Sequence, residues 1–148
     1  MRAAMLSRLG VASAGDDADY ALVKALFGFL HATKAPFEQV MFDLYSGSAR
    51  LEKALQGPAA VHYAHVAFAP LKGALAQFDA ALSAQATHPY FRQDAPVTLL
   101  YPEIERLWHA IDEKDDWSLF EAKLEEIEMV RGAYGFQSPF VIPDAAKP

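Results

Sequence analysis

The fold is decided by residues 16–30, which read DDADYALVKALFGFL. The aspartates at the start of this stretch can cap a helix N-terminus and place favourable negative charge in its first turn. The apolar residues that follow are spaced at i, i+4, i+7 and i+8, which is the spacing of one buried helix face. We therefore predict a core helix that Asp16, Asp17 and Asp19 begin and that buries Leu22, Leu26, Phe29 and Leu30.

Similar apolar spacing predicts helices on both sides of this core helix. A short helix should run from Arg2 to Leu9 and end at Gly10, because glycine tolerates the positive φ of a helix C-terminus. Pro36 suits the first position of a third helix, since its missing N–H costs nothing there, and Gly47 should end that helix. The residues that we expect this third helix to bury are Phe37, Val40, Met41 and Leu44.

Glycine and proline interrupt the middle of the chain. After Gly57, a helix that begins with proline should continue through Val61 and Val66. Pro70 should break or kink that helix, because proline lacks the backbone N–H and clashes with the preceding turn. Beyond it, one helix stripe with apolar residues spaced 4, 3 and 4 apart consists of Leu71, Leu75, Phe78 and Leu82.

Two further helices are predicted after a long connection. Residues 87–101 contain two prolines and no sustained helical period, so they should be irregular and, being rich in aromatic residues, pack down. A helix should follow Pro102, and Asp115 or Asp116 should cap the last one. The buried stripes should consist of Ile104, Leu107, Trp108 and Ile111 in the first of these helices and of Trp117, Phe120, Leu124 and Ile127 in the second.

The patterns together predict an all-α protein. Strand patterns are nearly absent, and 148 residues suit one domain, so we expect a single-domain bundle of seven or eight short and medium helices around an aromatic-rich core. The helical domain should span residues 1–132, and residues 133–148 should form an extended C-terminal tail. The residues that forbid a continued helix there are Gly132, Gly135, Pro139, Pro143 and Pro148.

The charge of the chain is unevenly distributed. Its net charge is −6, which repels a phosphate backbone, so we expect no nucleic acid partner. Between Glu103 and Arg131 there are 10 acidic and 4 basic residues, whereas the rest of the chain has 9 of each. Glu121, Glu125 and Glu128 should face away from the core. An acidic helix face is most often a solvated surface, and the alternative is a docking site for a basic partner.

Composition excludes several other classes. The chain has no cysteine, which excludes disulfides, thiolate metal sites and cysteine nucleophiles. Charged residues interrupt every apolar run before it reaches the length of roughly 18 residues that a membrane span needs, so we expect no membrane association. Arg8 stands where a signal peptide would need its apolar stretch. A cytoplasmic protein is therefore expected.

His62 and His65 are three residues apart, so on a helix they would share one face and could grip one metal ion. Two ligands do not make a site, and the chain has no Glu-x-x-His motif of the kind that di-iron bundles use. We therefore expect a structural or surface role for this pair, with no metal and no cofactor. The alternative is a small-ligand or metal-binding bundle, in which His62, Tyr63 and His65 line a cavity with His31 or His109.

No catalytic motif is present. The chain lacks the Gly-x-Ser-x-Gly elbow, the Walker phosphate loop and the Gly-x-Gly-x-x-Gly turn. Residues 46–48 (SGS) look like an anion-binding turn, but a helix-cap turn explains them better. The carboxylate pairs Asp112/Glu113 and Asp115/Asp116 are each adjacent in an exposed turn, where they cannot face each other as a general acid and base. We predict no catalytic and no cofactor-binding residue.

Five stretches carry a resemblance to a known family. They are residues 5–11 (MLSRLGV), 19–27 (DYALVKALF), 35–45 (APFEQVMFDLY), 88–91 (HPYF) and 115–124 (DDWSLFEAKL). Together they resemble the C-terminal helical region of selenoprotein O-type protein adenylyltransferases. In that family, a kinase-like domain N-terminal to this region binds ATP and metal and transfers AMP to a protein hydroxyl.

The resemblance implies a function without catalysis in this chain. The 148 residues contain no counterpart of the kinase-like domain and no redox-active C-terminal cysteine or selenocysteine, so no catalytic residue carries over. We expect either a free-standing relative of the accessory region or a truncated adenylyltransferase. The leading hypothesis is a non-catalytic interaction or regulatory domain that is not an enzyme. Its expected partner is a second copy of the chain or a kinase-like protein.

Overall fold

The computed structural model describes residues 1–81 and 83–136, and its regular secondary structure there is helical. The all-α prediction is confirmed. Two short 3-10 turns span Gly47–Arg50 and Pro89–Arg92, and one antiparallel bridge joins Val11 to Ala80 within the described ranges. The helices are α1 Arg2–Leu9, α2 Asp16–Thr33, α3 Phe37–Asp43, α4 Leu51–Ala54, α5 Ala60–Tyr63, α6 Phe68–Leu75, α7 Ser83–Ala86, α8 Tyr101–Lys114 and α9 Ser118–Ala133.

The chain divides into two compact units. The N-terminal unit, Met1–Pro96, contains α1 to α7, and the C-terminal unit, Val97–Pro148, contains α8 and α9. The helical domain over residues 1–132 and the extended tail over residues 133–148 stay predictions. Residues 137–148 of that tail lie outside the described residues, as does Leu82.

The main apolar core belongs to the N-terminal unit. Helix α2 packs along α6 and also contacts α1, because its apolar face carries residues at helical spacing. Leu22, Leu26 and Phe29 are completely buried, as their spacing predicts, and Leu30 is partly buried. Leu71, Leu75 and Phe78 face them from α6 and the turn after it, which confirms that stripe for the described residues.

The start of α2 differs from the prediction. Gly15, with φ 106°, occupies the N-cap position, and no aspartate side chain caps the helix there. Asp19 is buried within the first turn and reaches back to the preceding loop instead. Its Oδ2 accepts a hydrogen bond from Ser13 Oγ at 2.6 Å, and its Oδ1 accepts one from the backbone N–H of Ala14 at 3.1 Å. Asp16 and Asp17 still add favourable charge to the first turn.

The helix predicted through Val61 and Val66 is wrong. Helix α5 has four residues, and the side chains of Val61 and Val66 are 75% and 82% exposed. Pro70 does not break a helix, because it lies in the first turn of α6, where a missing N–H leaves no hydrogen bond unmade. The buried residues of this region are Ala59, Tyr63 and Phe68, and the rings of Tyr63 and Phe68 pack on Phe29 of α2.

The predicted buried stripes of α8 and α9 are wrong in most positions. Leu107 is buried and Ile111 and Ile127 are partly buried, but the other members are exposed. Two helices that pack on each other cover only one face of each within this unit. The exposed members are Ile104 at 44%, Trp108 at 64%, Trp117 at 48%, Phe120 at 38% and Leu124 at 47%.

Candidate functional site

A buried polar cluster lies at the end of α3. The Asp43 carboxylate is almost fully buried, and its Oδ2 accepts a hydrogen bond from the Tyr63 hydroxyl at 2.8 Å. Its Oδ1 accepts a second one from Gln39 Nε2, also at 2.8 Å. Gln39 Nε2 in turn donates to the backbone carbonyl of Asp94 at 2.9 Å. The cluster therefore ties α3 to α5 and to the connection that follows Arg92.

Burial changes the acidity of the groups in this cluster. Desolvation raises the pKa of Asp43 above its ordinary value of 3.8, although the hydrogen bonds from Tyr63 and Gln39 work in the opposite direction. Burial and the neighbouring Asp43 also raise the pKa of the Tyr63 hydroxyl. A perturbed carboxyl group can mark a catalytic site. Here both carboxylate oxygens already accept hydrogen bonds within the core, which is the arrangement of a structural group.

Arg50 and Lys53 hold the connection after α7 against α3. The Arg50 guanidinium lies 4.8 Å from the ring centroid of Phe42 and 4.9 Å from that of Phe91, within cation–π range. It donates to the backbone carbonyls of Phe42 and Phe91, the latter at 2.8 Å. Lys53 Nζ donates to the carbonyls that follow along the same segment, those of Arg92 and Gln93.

The sequence patterns did not reveal these polar residues. Gln39 and Asp43 are four residues apart on one helix, and this spacing was the one available signal of contact. Tyr63 comes 20 residues after Asp43. The Phe91 carbonyl lies 41 residues after Arg50. No local period encodes pairs at such separations.

The residues of the proposed histidine cavity are dispersed. Tyr63 is buried and its hydroxyl donates a hydrogen bond to Asp43, whereas His31 and His65 are exposed and His62 is partly exposed. His65 Nδ1 accepts a hydrogen bond from the backbone N–H of Ala67 at 3.1 Å. Across residues 1–81 and 83–136, no group of three or more His, Asp or Glu side chains is placed to hold a metal ion.

The turn at residues 46–48 is part of the packing. Ser46 and Gly47 are both buried, and a Cβ at Gly47 would lie 3.3 Å from Val11 Cγ1. The backbone N–H of Ser46 donates to the carbonyl of Leu9 at 2.7 Å. The Ser46 hydroxyl is buried without a hydrogen-bond partner in the structure. This turn joins the end of α3 to the end of α1.

An apolar groove of about 610 Å³ runs between α2 and α6. It exists because small side chains face each other where larger ones would fill the space. None of His31, His62 or His65 lines it. The lining residues are Ala21, Lys24, Ala25, Gly28 and Phe29 of α2 together with Ala67, Pro70, Ala74 and Gln77.

A buried lysine organises the C-terminal unit. Lys123 Nζ lies 2.6 Å from Glu103 Oε1 of α8, and it also pairs with Glu126 one turn along α9. Burial opposes its charge, but the hydrogen bonds to these two glutamates raise the pKa of Lys123 above its ordinary value of 10.5. The ion pair with Glu103 joins α8 to α9.

The paired carboxylates near the junction of α8 and α9 serve local structure. Asp112 and Glu113 lie in the last turn of α8 rather than in the predicted turn, whereas Asp115 and Asp116 lie between the two helices. Glu113 Oε2 lies 3.1 Å from His109 Nε2, and Asp115 Oδ1 accepts a hydrogen bond from the Trp117 indole at 2.9 Å. Asp116 Oδ1 accepts one from the backbone N–H of Ser118 at 3.0 Å, and the hydrogen bonds from the Ser118 side chain and from this N–H lower the pKa of Asp116. The N-cap residue of α9 is Trp117 rather than the predicted Asp115 or Asp116, and Asp116 contacts the first turn through the N–H of Ser118.

A shallow cleft on α8 combines an exposed aromatic ring with carboxylates. Trp108 lines this cleft, and its side chain is largely exposed. Glu105 and Asp112 lie three residues before and four residues after Trp108, so the three side chains share one face of the helix. The cleft is lined by Pro102, Glu105, Arg106, Trp108, His109 and Asp112.

These observations define a helical protein in which the buried Asp43, Tyr63 and Lys123 bond to groups of the same chain, and whose C-terminal unit exposes apolar and acidic side chains. The family model of the protein adenylyltransferase SelO matches residues 1–128. The chain therefore belongs to the SelO protein adenylyltransferase family, which confirms the resemblance seen in the sequence. Comparison with curated proteins and comparison with solved structures gave no match. In the part of the chain that the structure describes, no helix is both long and apolar enough to cross a bilayer.

Proposed function

We propose that this chain is a non-catalytic helical binding module of the SelO family and that its partner is a kinase-like adenylyltransferase domain. The observation that carries the proposal is the exposure of apolar residues on α8 and α9 that their helical spacing would assign to a core. Contiguous exposed apolar surface on a folded protein marks sites of interaction. Membership of the SelO family supports the choice of partner.

The absence of catalysis is supported by how the polar groups of the N-terminal unit are used. Asp43 and Tyr63 are hydrogen-bonded to each other, and Arg50 donates to backbone carbonyls. A general acid or base must reach a substrate atom, directly or through one water. These groups reach partners within the protein instead, which favours a structural role.

Size-exclusion chromatography with light scattering tests the binding proposal. The intact chain, a kinase-like adenylyltransferase domain and their mixture are compared at matched salt. We expect the mixture to give the mass of a complex, and the double variant Trp108→Ala/Trp117→Ala to lose it. The matched control is Tyr20→Ala/Val66→Ala, which removes exposed apolar side chains from the N-terminal unit.

The alternative masses have defined meanings. A dimer of the chain that ignores the kinase-like domain would replace the proposed partner with a second copy. A monomer that leaves the kinase-like domain unbound would overturn the binding proposal.

A labelling assay tests the non-catalytic part of the proposal. The intact chain is incubated with α-labelled ATP, magnesium and a protein acceptor, and AMP transfer is followed on a gel. We expect no transfer by this chain alone, with a kinase-like adenylyltransferase as the positive control. Labelled protein in the absence of that enzyme would contradict the proposal.

A further inference from the structure

We propose that the cleft lined by Trp108 on α8 binds a basic segment of a partner protein. An Arg or Lys side chain of that segment enters the cleft, and an apolar residue lies next to it in the segment. This inference rests on the proposed function, because it names the surface and the chemistry of the partner that the binding module takes. The cleft belongs to α8 alone, so it is defined by residues of one helix.

The geometry places an aromatic ring between two carboxylates. Trp108 is 64% exposed, and Glu105 and Asp112 of the same cleft are exposed as well. Since residues three and four apart are neighbours on a helix, Glu105 lies about one turn before the ring and Asp112 about one turn after it. Ile104, 44% exposed, comes four residues before Trp108 and therefore lies on the same side of α8.

This combination suits a cation better than a neutral or anionic group. The face of an indole ring attracts an ammonium or guanidinium group within about 6 Å of its centre. Carboxylates accept charge-assisted hydrogen bonds from the same group, and a guanidinium can donate two at once. Ile104 then offers an apolar contact to the residue beside the base. Trp and Arg are also the residue types that most often dominate binding energy at protein interfaces.

The charge around the cleft favours a basic partner. The segment from Glu103 to Arg131 has 10 acidic and 4 basic residues. Lys123 and Arg131 are already paired with glutamates of this segment. Arg106 also lines the cleft, and the two carboxylates of Glu105 and Asp112 outnumber its single positive charge. A surface with this excess of negative charge attracts cationic partners over a distance of about 8 Å at physiological salt.

The same charge argues against two other occupants. A second copy that presented the same face would bring two acidic surfaces together, and such like-charge contacts are costly. A nucleic acid would meet the same repulsion from its phosphates. We therefore commit to a basic segment of another protein as the occupant.

Three synthetic peptides without tryptophan provide the probes. The first repeats Leu-Arg, the second replaces each Arg with Glu, and the third replaces each Leu with Ser. Each is titrated into the intact chain at low and high salt, and binding is followed by tryptophan fluorescence and by calorimetry. We expect the Leu-Arg peptide to bind more tightly than the other two, and its Kd to increase at high salt.

Variants assign the binding to the cleft. We expect Trp108→Ala, and separately Glu105→Lys/Asp112→Lys, to weaken binding of the Leu-Arg peptide by about tenfold or more. The matched controls are Tyr20→Ala, which removes an exposed aromatic ring of the N-terminal unit, and Asp16→Lys/Asp17→Lys, which reverses charge at exposed acids of the same unit. Both controls should keep the Kd of the unmodified chain. Circular dichroism checks folding, and if Trp108→Ala unfolds, the charge-reversal pair decides.

The outcomes separate this inference from the proposed function. Equal affinity for the Arg and Glu peptides, or no effect of the charge reversal, overturns the inference even if the kinase-like domain still forms a complex. If Trp108→Ala no longer binds the Leu-Arg peptide, the cleft is supported as the binding site even if the kinase-like domain does not bind. In that case only the proposed identity of the partner is wrong. A dimer that disappears in Trp108→Ala, with no peptide bound, would show that a second copy occupies the cleft and overturn the inference.

Discussion

Asp43 lies at the end of α3 with both carboxylate oxygens accepting hydrogen bonds inside the N-terminal unit. A buried carboxylate is costly unless its oxygens are satisfied, and here Tyr63 and Gln39 satisfy them. The sequence alone marks Asp43 as an ordinary polar residue at a helix end. Its importance becomes visible only when α5 brings Tyr63 to it.

Removal of the Tyr63 hydroxyl should destabilise the fold. The substitution Tyr63→Phe takes one hydrogen bond from a buried carboxylate and leaves that oxygen without its donor. We expect the free energy of unfolding in urea to fall by about 1–3 kcal/mol. The matched control is Tyr20→Phe, because the Tyr20 ring is exposed. An equal effect of the two substitutions would contradict the role given to this hydrogen bond.

The raised pKa of Asp43 predicts a pH dependence of stability. Above its ordinary value of 3.8, the native chain keeps a proton that the unfolded chain has lost, until the pH passes the native pKa. Within this window, rising pH therefore lowers the free energy of unfolding, and the contribution of Asp43 is greatest at lower pH. Desolvation by burial is the main cause of the raised pKa of Asp43.

Urea unfolding over a pH series, for the unmodified chain and for Asp43→Asn, measures this effect. We expect the stability of the unmodified chain relative to Asp43→Asn to decrease as the pH rises above 3.8. The exposed Asp17→Asn serves as control for the loss of one negative charge. A relative stability that increases with pH would mean that the native pKa is lowered.

At the scale of elements, the end of α1 depends on a close approach that only glycine allows. Gly10 has φ 62°, and a Cβ placed on it would lie 2.6 Å from the Tyr45 ring. The Tyr45 ring is held in turn by stacking on Phe91 at 4.3 Å between ring centroids. The positive φ at this position could be predicted from the sequence, whereas the contact with Tyr45 could not.

Two glycine substitutions should therefore change stability in opposite directions. Gly10→Ala adds strain at positive φ and a clash with Tyr45, and we expect it to lower the free energy of unfolding by about 2 kcal/mol. Gly73→Ala lies inside α6, and its Cβ would have open space. We expect that change to raise stability by about 0.5 kcal/mol, because alanine favours helix. If both substitutions changed the free energy of unfolding in urea by the same amount, the clash with Tyr45 would not explain the effect of Gly10→Ala.

At the scale of the whole molecule, both tryptophans of the chain belong to the C-terminal unit. Their rings are 64% exposed at Trp108 and 48% exposed at Trp117. Tryptophan fluorescence therefore reports on this unit and on what covers it. The helical spacing alone predicts that both rings are buried in a core, whereas the structure exposes both to water. The two interpretations therefore predict different accessibility of the indole rings to a quencher.

Acrylamide quenching distinguishes them. We expect quenching of the native chain to approach that of the chain in urea, because both rings are open to water. Binding of a partner on α8 should protect Trp108 and shift its emission to shorter wavelength, and the Trp117→Ala variant isolates that signal. Strong protection in the free monomer would contradict the exposed face on which the proposed function rests.

The sequence by itself determined the helical class, the buried stripe of α2, the turn at Gly10 and the resemblance to the SelO family. These features depend on short-range periodicity, on the φ preferences of glycine and on motifs within continuous stretches. Tertiary structure alone decided that Tyr63 satisfies Asp43, that Arg50 holds the Phe91 carbonyl, and that Trp108 and Leu124 face water. The physical reason is that helical spacing specifies which residues share a face, whereas burial depends on whether another part of the molecule covers that face.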